Sequence, residues 1–198
     1  LTSLALAVGI IKLANQKTLI QDLYSLEMLA RVDTICFDKT GTLTDGNMTL
    51  KDTVLLAEYD ENYISDVMSS LIFALQDNNQ TSIALYEKFG QKRIYTAKEI
   101  ITFNSERKLS AGTLYDAGTF AYGAPEFVLS AKEYEKIREQ TNSYAGNGLR
   151  VLVLAKSEKE IVDGELPNDF IPIAMFLIED SIRAEAVNMV KWFSENDV

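Results

Sequence analysis

The segment VDTICFD at residues 32–38, running directly into KTGTLTDG, constrains this chain more than any other feature. An apolar run entering a glycine-containing turn predicts a buried strand with a loop at its C-terminal end, the position at which open parallel sheets receive ligands. Asp38 would then stand at the strand tip, facing backbone N–H groups, hydroxyls and the ammonium of Lys39. This is an anion site with a nucleophile inside it. Carboxylate and phosphoryl group are both negative, so attack needs charge neutralisation. Lys39, oriented N–H donors and a Mg²⁺ shared by Asp38 and the phosphate would supply it. An ordinary polar strand exit would explain one such Asp. The string from Asp38 to Thr44 arises by chance in a chain of this length with odds on the order of one in a million.

The chemistry open to such a site is narrowed by what the 198 residues lack. There is no His, which excludes Ser-His-Asp and Cys-His nucleophile systems, HExxH metalloproteases and imidazole zinc sites. Catalysis must run on carboxylates, hydroxyls, Lys, Arg or a metal. Cys36 is the single cysteine, so no internal disulfide forms; inside a buried strand it would act as a small hydrophobe. The 19 Lys+Arg against 29 Asp+Glu give a net charge of -10, and nucleic acid is not an expected partner. No GxxxxGK[ST] string occurs, so a P-loop is excluded.

Pattern along the chain divides it. LTSLALAVGIIKLA is the most hydrophobic stretch, but Lys12 interrupts it short of the roughly 18–20 apolar residues of a membrane helix. It reads as one helix running on without a turn through Leu19, Ile20 and Leu23. Ile64, Val67, Met68, Leu71, Ile72 and Leu75 recur at helical spacing, and a shorter helix from Thr81 to Phe89 stops at Gly90. LSAGTLY and GTFAYGA, joined by Asp116-Ala117-Gly118, predict a hairpin. Pro125 opens a helical patch, Lys132 to Gln140 reads as a helix, and RVLVLA after Gly146-Asn147-Gly148 as a strand. IPIAMFLIED is a second apolar strand, expected to be of parallel type, and RAEAVNMVKWFSENDV a helix running to the chain end, with Trp192 in packing. The middle therefore looks like an α+β insertion with an antiparallel sheet inside an α/β domain.

VDTICFDKTGTLT resembles the phosphorylation signature of P-type ATPases, ion pumps that form an aspartyl-phosphate during transport and share the haloacid-dehalogenase-like core. The resemblance implies an incomplete Rossmannoid phosphorylation domain with an inserted α+β nucleotide-binding domain on an antiparallel sheet. The implied layout is the end of a fourth membrane helix and stalk (1–31), a first phosphorylation segment (32–48), the inserted domain (49–171) and the start of a second phosphorylation segment (172–198). Asp38 is then the phosphorylated nucleophile, Lys39, Thr40 and Thr42 its catalytic neighbours, and Asp38 with Thr40 the Mg²⁺ site. Related phosphatases usually carry a second Asp where this chain has Thr40. Thr cannot activate water, which suits a long-lived phosphoenzyme.

PheAsnSerGluArgLys at 103–108 is similar to the family segment in which the aromatic stacks on adenine and the Lys approaches the nucleotide, implicating Phe103 and Lys108. TyrGlyAlaProGlu at 122–126 is similar to LysGlyAlaProGlu, implicating Tyr122 and Gly123. Tyr122 stands where many members have Lys, so it can flank the base without supplying a cation. Arg150 matches an Arg that reaches the phosphates, Ser82 a position near the base that often carries an acid, and Asp180 and Arg183 a hinge motif with nucleotide contacts. The resemblance implies ATP and Mg²⁺ as cofactors, and a transported cation and lipid bilayer as partners of a full-length membrane protein whose present region is cytoplasmic. The opening residues most resemble bacterial pumps for Ca²⁺ or other divalent cations, and the lack of His speaks against the heavy-metal branch. The family's ThrGlyAsp and GlyAspGlyxxAsnAsp segments do not occur here, so the isolated segment is expected not to phosphorylate itself. Two other readings remain open: a soluble phosphatase of the same superfold, and a non-catalytic nucleotide-binding regulatory module.

Overall fold

Six strands form one antiparallel sheet in the order β1-β6-β5-β4-β3-β2 in a computed structural model that describes residues 2–198. The strands are β1 (Thr44–Leu55), β2 (Ala97–Ile101), β3 (Leu109–Leu114), β4 (Gly118–Gly123), β5 (Arg150–Ser157) and β6 (Ile171–Ile182). The helices are α1 (Thr2–Asn15), α2 (Leu23–Leu29), α3 (Glu61–Leu75), α4 (Gln80–Phe89), α5 (Pro125–Val128), α6 (Ala131–Gly146) and α7 (Ala184–Glu195). Two compact units result, Thr44–Ser181 and Leu1–Leu43 with Ile182–Val198.

In the larger unit the period-two alternation of the strands sends side chains to two separate cores. Phe120, Leu152, Leu154, Phe176 and Ile178 face one way and pack with Ile64, Met68 and Leu71 of α3 and Leu85 of α4. Ala121, Val151, Val153, Ala155, Met175 and Leu177 face the other way and pack with Val128 of α5 and Ile137 of α6. Helix ends carry the caps their sequences call for. Asp60 accepts from Tyr63 N at 2.7 Å, Asn79 from Ser82 N at 3.0 Å and Ser130 from Glu133 N at 3.4 Å. The expected hairpin forms, with Leu114 opposite Gly118 and Ser110 opposite Tyr122.

Several expectations are corrected. IPIAMFLIED pairs antiparallel with β5, not in parallel fashion. A strand covered by helices on both faces reads as a continuous apolar run in either orientation, so the run alone does not fix its direction. β1 and β2 lie where no strand was expected; β1 runs from the last Thr of the motif, and its Leu55 is followed by Leu56, whose N–H donates to Ile173 O at 2.9 Å.

In the smaller unit, residues 32–38 form no strand and are not buried, and Cys36 is exposed. A strand exists only by pairing, and the described residues of this unit include no neighbouring strand for it. The opening helix breaks at Gln16–Asp22, where Lys17 adopts φ 61, and resumes as α2 with Asp22 accepting from Tyr24 N at 3.0 Å. α7 stops at Glu195, and Trp192 is 58% exposed, touching Phe193 edge-on at 5.2 Å. Among the described residues no helix is long and apolar enough to cross a membrane.

Candidate functional site

A cavity of about 700 Å³ opens in the larger unit where β3 and β5 begin and β4 ends. The start of α4 supplies Asn79, Thr81 and Ser82 to its wall, the loop before β3 supplies Phe103 and Lys108, and α6 supplies Tyr134 and Asn142. Six of the expected nucleotide residues, Ser82, Phe103, Lys108, Tyr122, Gly123 and Arg150, line this one cavity.

Each is held for a local reason. Asn104 Oδ1 accepts from Glu106 N at 2.6 Å and Arg107 N at 3.3 Å, and Asn104 O accepts from Lys108 N at 2.7 Å. That turn leaves Phe103 45% exposed, a ring face free to stack. Lys108, in the left-handed region at φ 52, sets its ammonium 4.8 Å from the Phe127 ring centroid. Arg150 donates from Nη1 to Thr81 Oγ1 at 3.2 Å, so its guanidinium stays beside the first turn of α4, where helix N–H groups also favour an anion. Gly123 has no room for a side chain. A Cβ there would strike the Lys108 carbonyl and lie within 2.7 Å of Leu109 Cα.

Tyr122 behaves differently from the base-flanking ring expected of it. The residue is only 4% exposed and belongs to the α3-side core. Burial, reinforced by the nearby Asp77 carboxylate, pushes the phenol up to about 12, so it stays protonated and neutral. Ser110 donates to Asp77 Oδ2 at 2.8 Å. Ser110 and Asp77 were not singled out from sequence. The hairpin register could have found Ser110, because a turn at 115–117 sets it opposite Tyr122.

The remaining expected residues lie elsewhere. Asp180 is in β6 and does not line the cavity. Asp38, Lys39, Thr40, Thr42 and Arg183 belong to the smaller unit. There the chain turns sharply through Lys39–Leu43, with Thr40 extended (φ -81, ψ 121) and Gly41 left-handed at φ 81. Arg183 closes that turn, its Nη2 donating to Gly41 O and its backbone N–H to Leu43 O, both at 3.0 Å. Asp38 is exposed at the start of the turn. Among the described residues no cluster of three or more His, Cys, Asp or Glu side chains could hold a metal. Asp38 and Thr40 offer hard oxygen donors only, a set that suits Mg²⁺, which keeps waters and takes phosphate oxygens as further ligands.

No protein-family model matches the chain. Sequence comparison is more telling: a Streptococcus pneumoniae protein named "Probable cation-transporting ATPase exp7" is 35% identical across 100% of this chain and 25% of its own length. The segment belongs with the P-type cation-transporting ATPases. A second relative of this ATPase segment, the calcium-transporting ATPase CtpE of Mycolicibacterium smegmatis, is 30% identical across 100% of the chain and 24% of its own length. The chain thus spans about a quarter of the curated relatives it matches. Its fold is that of a segment in two crystal structures of a zinc-transporting PIB-type ATPase, captured in two different states. The first matches with TM-score 0.63 at 17% identity, over 100% of this chain and 29% of that one. The second matches with TM-score 0.65 at 18% identity, over 100% and 30%.

Proposed function

We propose that the cavity of the Thr44–Ser181 unit binds ATP and that Asp38 accepts its γ-phosphate, in a pump that moves a cation across a membrane. One observation carries the reading: residues from four separate stretches of sequence, implicated one by one by resemblance, surround a single cavity. Phe103 offers the stacking face for the base, and Lys108 and Arg150 the positive charge for the phosphates. In the transfer, an Asp38 carboxylate oxygen bonds to the γ-phosphorus, the bond to the β–γ bridging oxygen breaks, and ADP leaves with that electron pair. Lys39 offsets charge beside Asp38, and the hydroxyls of Thr40 and Thr42 can donate to phosphoryl oxygens. Mg²⁺, held by Asp38 and Thr40 when bound, would neutralise the charge that otherwise keeps carboxylate and phosphate apart.

In this reading residues 49–171 are a nucleotide-binding domain, and the segments on either side belong to a haloacid-dehalogenase-like phosphorylation domain. The parent is a membrane protein with this region on the cytoplasmic side. Relatives named for calcium transport favour Ca²⁺ or another divalent cation as cargo.

The test is acid-stable, hydroxylamine-sensitive labelling from ATP in membrane vesicles holding the full-length protein, wild type against Asp38→Asn, with Ca²⁺, Mn²⁺, Mg²⁺, Na⁺ and K⁺ varied separately. Label that requires Asp38 and one ion is the expected result. Intact nucleotide binding with no label under any ion would leave a regulatory nucleotide-binding module instead.

A further inference from the structure

Lys108 is fixed through its backbone and then again through its side chain. Its N–H donates to Asn104 O at 2.7 Å, and its carbonyl accepts from Ala124 N at 3.1 Å. Ala124 O in turn accepts from Phe127 N at 2.9 Å, and the Phe127 ring centroid lies 4.8 Å from the Lys108 ammonium. These contacts close one loop between the turn before β3 and the short helix α5. Lys108 lines the cavity and Phe127 does not, so the ring acts from beside it. Phe127 is 42% exposed and belongs to neither core cluster. Other lysines are held differently: Lys51 pairs with Glu179 at 2.9 Å and Lys136 with Glu133 at 2.7 Å. Among the described residues Lys108 forms no ion pair, although Glu126 lines the same cavity. The difference is electrostatic. A carboxylate would cancel the charge that an anion needs, whereas a ring face attracts the ammonium through its quadrupole and leaves the unit charge in place.

We propose that Phe127 is a positioning residue for phosphate recognition: its ring holds the Lys108 ammonium at the cavity wall, in place and still charged, for the phosphate chain of the nucleotide. The inference rests on the cavity being a nucleotide site. An ammonium carries three N–H donors and the ring face takes up one side of it, so donors remain for phosphate oxygens while the ring contact persists. A free lysine would surrender the rotamer freedom of a long side chain when the anion arrives. One already held on a ring has lost part of that freedom beforehand, and binding is stronger by that part.

The experiment is calorimetric titration of the chain with ATP and with adenosine, which has the base and no phosphate. Phe127→Leu keeps an apolar side chain and removes the ring face; it should lower ATP affinity by about two- to fivefold and leave adenosine affinity unchanged. Pentafluorophenylalanine at position 127 keeps the shape of the ring and reverses the sign of its face, and it should lower ATP affinity at least as much. In a Lys108→Met background, Phe127→Leu should add no further loss. Equal losses for ATP and adenosine, or a further loss in the Lys108→Met background, mark a merely structural ring and overturn the proposal. So does an unchanged ATP affinity in Phe127→Leu with wild type still binding ATP, which leaves the nucleotide reading standing. Absence of saturable ATP binding by wild type would end both. If Phe127→Leu does not fold, the pentafluorophenylalanine chain decides in the same way.

Discussion

The two units invest their apolar residues in opposite ways. Thr44–Ser181 buries a cluster on each face of its sheet, with Phe120, Phe176, Val67 and Leu154 at 0% exposure. In the other unit, among the described residues, the one buried hydrophobic side chain is Ala186. Yet this sparsely packed unit carries nearly all of the most specific motif in the chain, and the Asp38 of that motif stands exposed. Motif strength and packing are therefore separate properties. In the proposed reading the DKTGTLT string answers to what a phosphoryl group needs around it, whereas the sheet answers to what side chains need between two layers of helix.

Four measurements would break or sharpen that contrast. The largest effect is expected at Asp38: Asp38→Asn should lower phosphate labelling of the full-length protein by about a thousandfold or more, since no other carboxylate replaces the attacking oxygen. Thermal unfolding of the Thr44–Ser181 unit should not move. Next is Phe120→Ala, a deletion between packed layers, expected to cost about 3–5 kcal/mol in denaturant unfolding. Phe37→Ala in the smaller unit, where the ring meets Phe193 at 5.9 Å, should cost less than about 1 kcal/mol. Equal costs for the two would remove the distinction between the units.

Third is Gly123→Ala, whose new methyl meets β3 backbone that cannot yield; a loss of about 1–3 kcal/mol together with weakened ATP binding is expected, and an unchanged midpoint would contradict the close approach. Smallest is an alkaline effect of Tyr122. Its folded value lies above the usual 10.0, so the unfolded chain loses the proton first as pH rises. The stabilisation is complete below pH 10 and fades as pH climbs toward about 12. Tyr122→Phe should flatten that limb of a stability-against-pH profile, and a profile that stays parallel to wild type would count against a buried neutral phenol.

Local signals proved readable where the physics is local. The α3 stripe, the stop at Gly90, Pro125 at a helix start and the Asp116 turn each follow from residues a few positions apart, and each is present. Residues 32–38 and β6 were misread for one shared reason: both are apolar runs, and an apolar run states that a segment can be buried without stating what it pairs with. β6 found β5 and ran antiparallel; residues 32–38 found no strand among the described residues of their unit.

The candidate site divides along the same line. Phe103, Lys108, Gly123 and Arg150 could be named from the chain because the resemblance rests on short strings. Ser110 could not, because its place in the cavity wall depends on the register that sets it opposite Tyr122 across the hairpin. Sequence by itself determined the DKTGTLT string, the absence of imidazole chemistry and the helical and hairpin segments, all of which are properties of residue type and short spacing. Tertiary structure alone decided the strand directions, the burial of Tyr122 and the pairing of Ser110 with Asp77. Those depend on contacts between residues far apart in sequence, and a hydrogen bond acquires its direction only when both partners and their other commitments are fixed in space.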